Sequence, residues 1–149
     1  METVGDLLRV KGSQVLTTYE EKTVADALAT LVKHNIGSLI VLDGQHNIAG
    51  IITERDIMRL SHRKGEEFLG TKVKDAMTGK EGLIVGVVGD SLDYIMQVMT
   101  QNKIRHVPIM EGDRMLGLLS IGDVVKAQLH AVQAENHYLR DFLGDKYPA

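Results

Sequence analysis

Gly50–Arg59 reads GIITERDIMR and Gly117–Lys126 reads GLLSIGDVVK. Both stretches are a glycine, two aliphatics, a hydroxyl residue, two variable residues and an aspartate. A lone G-x-x-[ST]-x-x-D pattern is common by chance, but its return at the same place in two parallel halves is not. Sliding the chain on itself by about 68 residues extends the match outward in both directions. Val4–Leu8 (VGDLL) is answered by Val73–Met77 (VKDAM), and Thr23–Leu42 (TVADALATLVKHNIGSLIVL) by Ser91–Met110 (SLDYIMQVMTQNKIRHVPIM). The chain is a tandem duplication.

Periodicity gives each half its elements. Val24, Ala27, Leu28, Leu31 and Val32 recur at three- and four-residue spacing, which predicts one apolar helical face. Thr23 is placed to cap that helix with Asp26 as an acidic capping-box partner, and Asp90 or Ser91 serves in the second half. The short aliphatic runs Ser38–Leu42 and Val107–Met110 are followed by the turn dipeptides Asp43-Gly44 and Glu111-Gly112, then by Ile48–Ile52 and Met115–Leu119, so each half carries a β-hairpin. Thr53 and Ser120 fall where strand gives way to helix and are expected N-caps. Each repeat is therefore β-α-β-β-α, in a mixed α/β (α+β) fold. A repeat of about 60 residues buries too little surface to stand alone, so the two are expected to pack as a pseudo-twofold pair.

The expected organisation is repeat one over 1–62, a linker over 63–71, repeat two over 72–128, and a helical extension and tail over 129–149. The polar stretch from Ser61 to Thr71 predicts a surface crossing. The last helix is expected to run on through VVKAQLHAVQAENHYLRDFL and to end near Gly144, before Pro148. Val125, Leu129, Val132, Leu139 and Phe142 give it more apolar surface than a repeat needs, which points to a homodimer.

Composition narrows the function. The chain has no cysteine, which removes disulfides, thiolate metal sites and cysteine nucleophiles. The formal charge is −3 with acids and bases interspersed, so general binding to DNA or RNA is not expected. No segment approaches ~18 consecutive apolar residues, and the start METVGDLLRV has no signal-peptide pattern, so a non-membrane, unprocessed, cytoplasmic protein is expected. His34, His46, His62, His130 and His137 lack metal-ligand spacing, and no metal is expected. No hydrolase elbow, Walker loop, dinucleotide fingerprint or triad is present, so no catalysis is expected.

The two junctions carry the chemistry. At each, a phosphate would meet a hydroxyl (Thr53 or Ser120), backbone N–H groups and the positive end of a helix dipole. One turn on, Asp56 and Asp123 offer carboxylates that can accept two hydrogen bonds from a vicinal diol such as ribose. Hydroxyl at the cap and acid three residues later is also how an ordinary helix is capped; duplication at matched positions favours the ligand reading.

From Val4 to about Gln128 the chain resembles a pair of CBS domains, a Bateman module. The resemblance implies a pseudo-twofold disc whose two clefts take an adenine nucleotide as regulatory ligand: AMP first, with ADP, ATP, NAD(H) or S-adenosylmethionine as alternatives. Carried over residue by residue, one cleft uses Asp123 for ribose and Ser120 for phosphate, with Gln14, Leu16, Ile36, Gly37, Leu118 and Arg105 around them. The related cleft uses Asp56, Thr53 and Ile51, with Leu83, Val85, Ile104 and Arg105. Arg105 and His106 fall at basic phosphate-contact positions of the family, whereas the first repeat has Gly37 and Ser38 there, so the clefts should differ; Arg55 and Lys11 are candidates to compensate. A surface salt bridge is the alternative for Arg105. The implied role is a sensor read by an unidentified regulated protein; the alternative is an interaction scaffold or dimerisation module with degenerate clefts.

Overall fold

The computed structural model describes residues 2–143. The chain forms two compact units. One is contiguous, Gln14–Ile84; the other is composite, joining the residues up to Ser13 to those from Val85 onward. Sequence repeat and compact unit are thus different segments. Each repeat's first short helix, the VGDLL or VKDAM stretch, is built into the unit that holds the other repeat's hairpin.

In the contiguous unit, β1 (Thr17–Tyr19) runs parallel to β2 (Ser38–Leu42), β2 pairs antiparallel with β3 (Ile48–Thr53), and β3 with the two-residue β4 (Thr78–Gly79). Helices α2 (Val24–His34), α3 (Glu54–Lys64) and α4 (Val73–Ala76) complete it. Val24, Ala27 and Leu31 of α2 meet Leu39, Val41 and Ile52 of the sheet, Ile57 and Leu60 of α3, and Val73. The motif glycine has a packing reason. A Cβ on Gly50 would lie 2.2 Å from the Thr78 carbonyl oxygen, so only glycine lets β4 approach β3.

The composite unit holds α1 (Val4–Lys11), α5 (Leu92–Asn102), the antiparallel hairpin of β5 (His106–Glu111) and β6 (Arg114–Ser120), and α6 (Ile121–Leu143). Val4 and Leu7 of α1, Leu92, Ile95 and Met99 of α5, Val107 and Ile109 of β5, Leu119 of β6, and Val124 and Ala127 of α6 form its core. Gly117 is again the close-approach residue: its would-be Cβ falls 2.8 Å from Leu8 of α1. Where β1 stands in the contiguous unit, this unit has a single parallel bridge, Gly86 to Ile109. Neighbouring backbone groups are spoken for: the Val88 carbonyl accepts the Gly5 N–H and the Asp90 carboxylate accepts the Val87 N–H, so the ladder cannot lengthen.

The starts predicted at Thr23, Thr53 and Ser91 are found, and α1 adds one at Thr3. Thr3, Thr23 and Thr53 each cap a helix in a reciprocal box with an aspartate three residues on, and Ser91, not Asp90, caps α5. Backbone N–H groups of Glu2 and Thr3, with the Thr3 hydroxyl, hold the Asp6 carboxyl down at about 2.

Three expectations need correction. Val32 does not belong to the buried face of α2; it is 73% exposed, because the packed arc closes at Leu31. The Ser61–Thr71 stretch is no plain surface crossing: α3 continues to Lys64, a 3-10 segment spans Gly65–Gly70, Phe68 packs on the core and Thr71 is buried. Counting its charges hid the one aromatic that anchors it. The turn of the first hairpin is more than the Asp43-Gly44 dipeptide: the Asp43 carboxylate accepts the Gln45 and Asn47 N–H groups, drawing it out to a longer loop, and His46 takes a left-handed conformation. The expected helix end near Gly144 and the Phe142 side chain lie outside the described residues.

Ile52→Ala, at a fully buried position, is expected to cost about 2–5 kcal/mol in denaturant unfolding, while Val32→Ala should stay within about 0.5 kcal/mol of the parent. Equal costs for the two would mean that the core is wrongly placed.

Candidate functional site

Each unit has one strand-to-helix corner, and the two are built alike. In the contiguous unit, Thr53 ends β3 in extended conformation and its Oγ1 accepts the Asp56 N–H (3.2 Å). Asp56 Oδ2 accepts the Thr53 N–H (2.9 Å) and the Thr53 hydroxyl (3.0 Å). The first N–H of α3, on Glu54, goes to the Gly37 carbonyl at 3.0 Å. In the composite unit, Ser120 Oγ accepts the Asp123 N–H (3.1 Å), Asp123 Oδ2 accepts the Ser120 N–H (2.8 Å), and the Ile121 N–H goes to the Arg105 carbonyl at 2.8 Å. Gly37 and Arg105 therefore do the same backbone job at equivalent corners, and their side-chain difference is a local exchange of nothing for a guanidinium.

The corners part company at one contact. Lys11, the last residue of α1, places Nζ 2.5 Å from Asp123 Oδ2 and also donates to the Leu118 carbonyl. The pair is partly sheltered, with side-chain exposures of 32% for Lys11 and 25% for Asp123. Burial alone would raise the Asp123 pKa; the Lys11 ammonium and the Ser120 backbone N–H outweigh it and hold the carboxyl below the ordinary carboxylate range. Asp123 is thus an ionised acceptor at neutral pH. The matching lysine of the second repeat, Lys80, does not follow from the helix: α4 ends after Ala76, the chain turns into β4, whose Gly79 pairs with Gly50, and Lys80 opens a 3-10 turn that, among the described residues, makes no ion pair with Asp56.

The structure gathers Lys11, Arg105, His106, Leu118, Ser120 and Asp123 around the composite corner; His106 stands opposite Ser120 in the hairpin register. Arg105 is exposed and, among the described residues, takes part in no ion pair. Ile51, Thr53, Arg55, Asp56 and Gly37 belong to the contiguous corner, where Ser38 stands opposite Thr53. Leu16 and Ile36 pack partly against the contiguous core and Ile104 against the composite one. Gln14 and Leu83 belong to the contiguous unit, and Val85, about half exposed, to the composite one. Among the described residues no group of three or more His, Asp or Glu could hold a metal ion, and no helix is long and apolar enough to cross a membrane. The Lys11–Asp123 pair, which sequence reasoning did not anticipate, had one signal: the Thr3/Asp6 capping box fixes the start of α1, and its eight residues end at Lys11.

The sequence model described as CBS domain matches residues 4–63 and 79–130. The chain belongs to the CBS-domain family. Among its relatives, the CBS domain-containing protein CBSX3, mitochondrial, of Arabidopsis thaliana is 36% identical, over 97% of this chain and 73% of the relative. A crystal structure of a CBS-domain-containing protein from Agrobacterium tumefaciens superposes with a TM-score of 0.81 at 37% identity, covering 85% of this chain and 93% of that one. The crystal structure of CBSX2 in complex with AMP gives a TM-score of 0.70 at 26% identity, covering 88% and 98%. The paired corners are thus the duplicated strand-to-helix junctions of two CBS repeats.

The Lys11 contact has a pH signature. Because the Asp123 pKa is lowered on folding, its contribution is present above the ordinary carboxylate range and is lost as pH falls through the folded value. Lys11→Met in this CBS protein should therefore cost up to ~1 kcal/mol near pH 7, and that cost should shrink below about pH 4. Chemical denaturation of both proteins at the two pH values checks it; a cost that grows on acidification contradicts the pairing.

Proposed function

We propose that this chain is a regulatory sensor that binds an adenine nucleotide, AMP first among the candidates, at its CBS corners and is read by a partner protein. The observation that carries the reading is the composite corner. There an ionised carboxylate, a hydroxyl, a helix N-terminus and two cations, Lys11 and Arg105, come together. A ribose diol can donate two hydrogen bonds to Asp123, and a phosphate can take Ser120, the start of α6 and the Arg105 guanidinium. Capping and ligand binding are compatible uses of one side chain. Asp123 and Asp56 each close the helix start through Oδ2, and a carboxylate has about four lone-pair sites in all. Aliphatic neighbours, Leu118 and Ile104 here and Leu16 and Ile36 in the contiguous unit, suit the flat face of a purine. The relative whose structure is described as a complex with AMP supports the choice of ligand class.

In this reading Lys11 holds the place of the ligand. Its ammonium neutralises Asp123 when no diol is present, and it turns to the phosphate when a nucleotide enters. A phosphorylated nucleoside then compensates the displaced cation and an unphosphorylated one does not. The contiguous corner, where among the described residues no lysine pairs with Asp56 and Gly37 stands in place of Arg105, binds more weakly. Turnover forms no part of the reading. A cytoplasmic location belongs to the same proposal.

Thermal unfolding with AMP, ADP, ATP, NAD and S-adenosylmethionine tests it. Saturation to ~100 times Kd should stabilise the native state by about 2.7 kcal/mol, raising Tm by roughly 5–10 °C. Asp123→Ala should abolish the part of the shift due to the composite corner. Lys11→Met should narrow the preference for AMP over adenosine. If no adenine ligand moves the transition, the sensor reading is wrong.

A further inference from the structure

Helix α6 outruns the unit that anchors it. Val124 and Ala127 on its inner face are buried in the composite core, and Gln128 donates to the Asp93 carboxylate at 2.6 Å. From Leu129 to Arg140 every residue is exposed. An unsupported helix of this length is marginal in water, since helical stability comes mainly from packing an apolar face. Such a face is present: Val125, Leu129, Val132 and Leu139 stand 48%, 54%, 52% and 45% exposed.

Their spacing is specific. Val125, Leu129, Val132, Asn136 and Leu139 succeed one another at four, three, four and three residues, which is a heptad seam with Leu129 and Asn136 at a positions and Val125, Val132 and Leu139 at d. We infer that α6 pairs with α6 of a second copy of this chain as a parallel, in-register two-stranded coiled coil in which Asn136 meets its own counterpart. The polar residue in the seam decides orientation and register. An asparagine buried against an aliphatic leaves its amide unsatisfied, whereas in a parallel, unshifted pair the two amides bond to each other.

Charge supports the same arrangement. Glu135 and Arg140 occupy the g position of one heptad and the e position of the next. Neither has an opposite charge three or four places along its own helix, and five residues apart they do not share a helix face. Across a parallel partner, g of one heptad faces e of the next, so each copy's Glu135 would meet the other's Arg140, twice per dimer. The proposal goes beyond the nucleotide reading and does not depend on it.

The chain has no cysteine, so single introduced thiols report the geometry in the whole chain without further change. Val132→Cys, at d, should form a disulfide-linked dimer under mild oxidation, because equivalent d residues of a parallel pair lie within the Cα separation that a disulfide spans. Ala134→Cys, on the opposite side of the helix, should stay monomeric on a non-reducing gel. Equal linking of the two variants, or none, overturns the proposal, as does a monomer mass for the parent at high micromolar concentration. Glu135→Arg should lower the dimer fraction several-fold and Glu135→Arg with Arg140→Glu should restore it; failure to restore overturns the parallel register. All of this is read without nucleotide, so its failure is distinct from failure of the sensor reading.

Discussion

At both strand-to-helix corners a hydroxyl and a carboxylate three residues apart close on each other's backbone N–H groups. This reciprocal pair stops the strand, starts the helix and fixes the corner's shape, all from side chains that point toward the helix start. The rest of each unit hangs from that constraint. The hairpin brings Gly37 or Arg105 alongside to take the first helical N–H, and the motif glycine, three residues before the hydroxyl, lets a neighbouring element come close. A pattern chosen for folding thereby leaves a polar, positively polarised corner at the same place twice.

Duplication gives equal corners; the incoming segment makes them unequal. α1 has eight residues and delivers Lys11 to Asp123, while α4 has four and yields to β4. The difference lies at Thr78 and Gly79, where the chain takes an extended path and pairs with Ile51 and Gly50. Two copies of one motif can in this way acquire different electrostatics without any change to the motif itself.

Much of this was legible in the chain. Capping boxes at Thr23 and Thr53, the hairpins and the helix after each corner are written in local patterns whose physics is short-range, and short-range signals survive without a fold to read them in. Val32 was misjudged because periodicity marks an apolar arc but not where tertiary packing closes it. Phe68 was overlooked because a single aromatic among charges carries no period. The Lys11–Asp123 contact joins residues 112 positions apart and has no local signature beyond the length of α1. The exchange of first helices between units was likewise invisible, since self-similarity reveals what is repeated and not which copy packs with which.

That exchange has a consequence for how the protein is made. The Gln14–Ile84 unit is one uninterrupted stretch and can close while the ribosome is still adding the second half of the chain. Val4 and Leu7, by contrast, precede that unit in the chain, yet they find their core only when Leu92–Ala127 has emerged. The helix that bears them must wait, its apolar side uncovered, until the second repeat has been made.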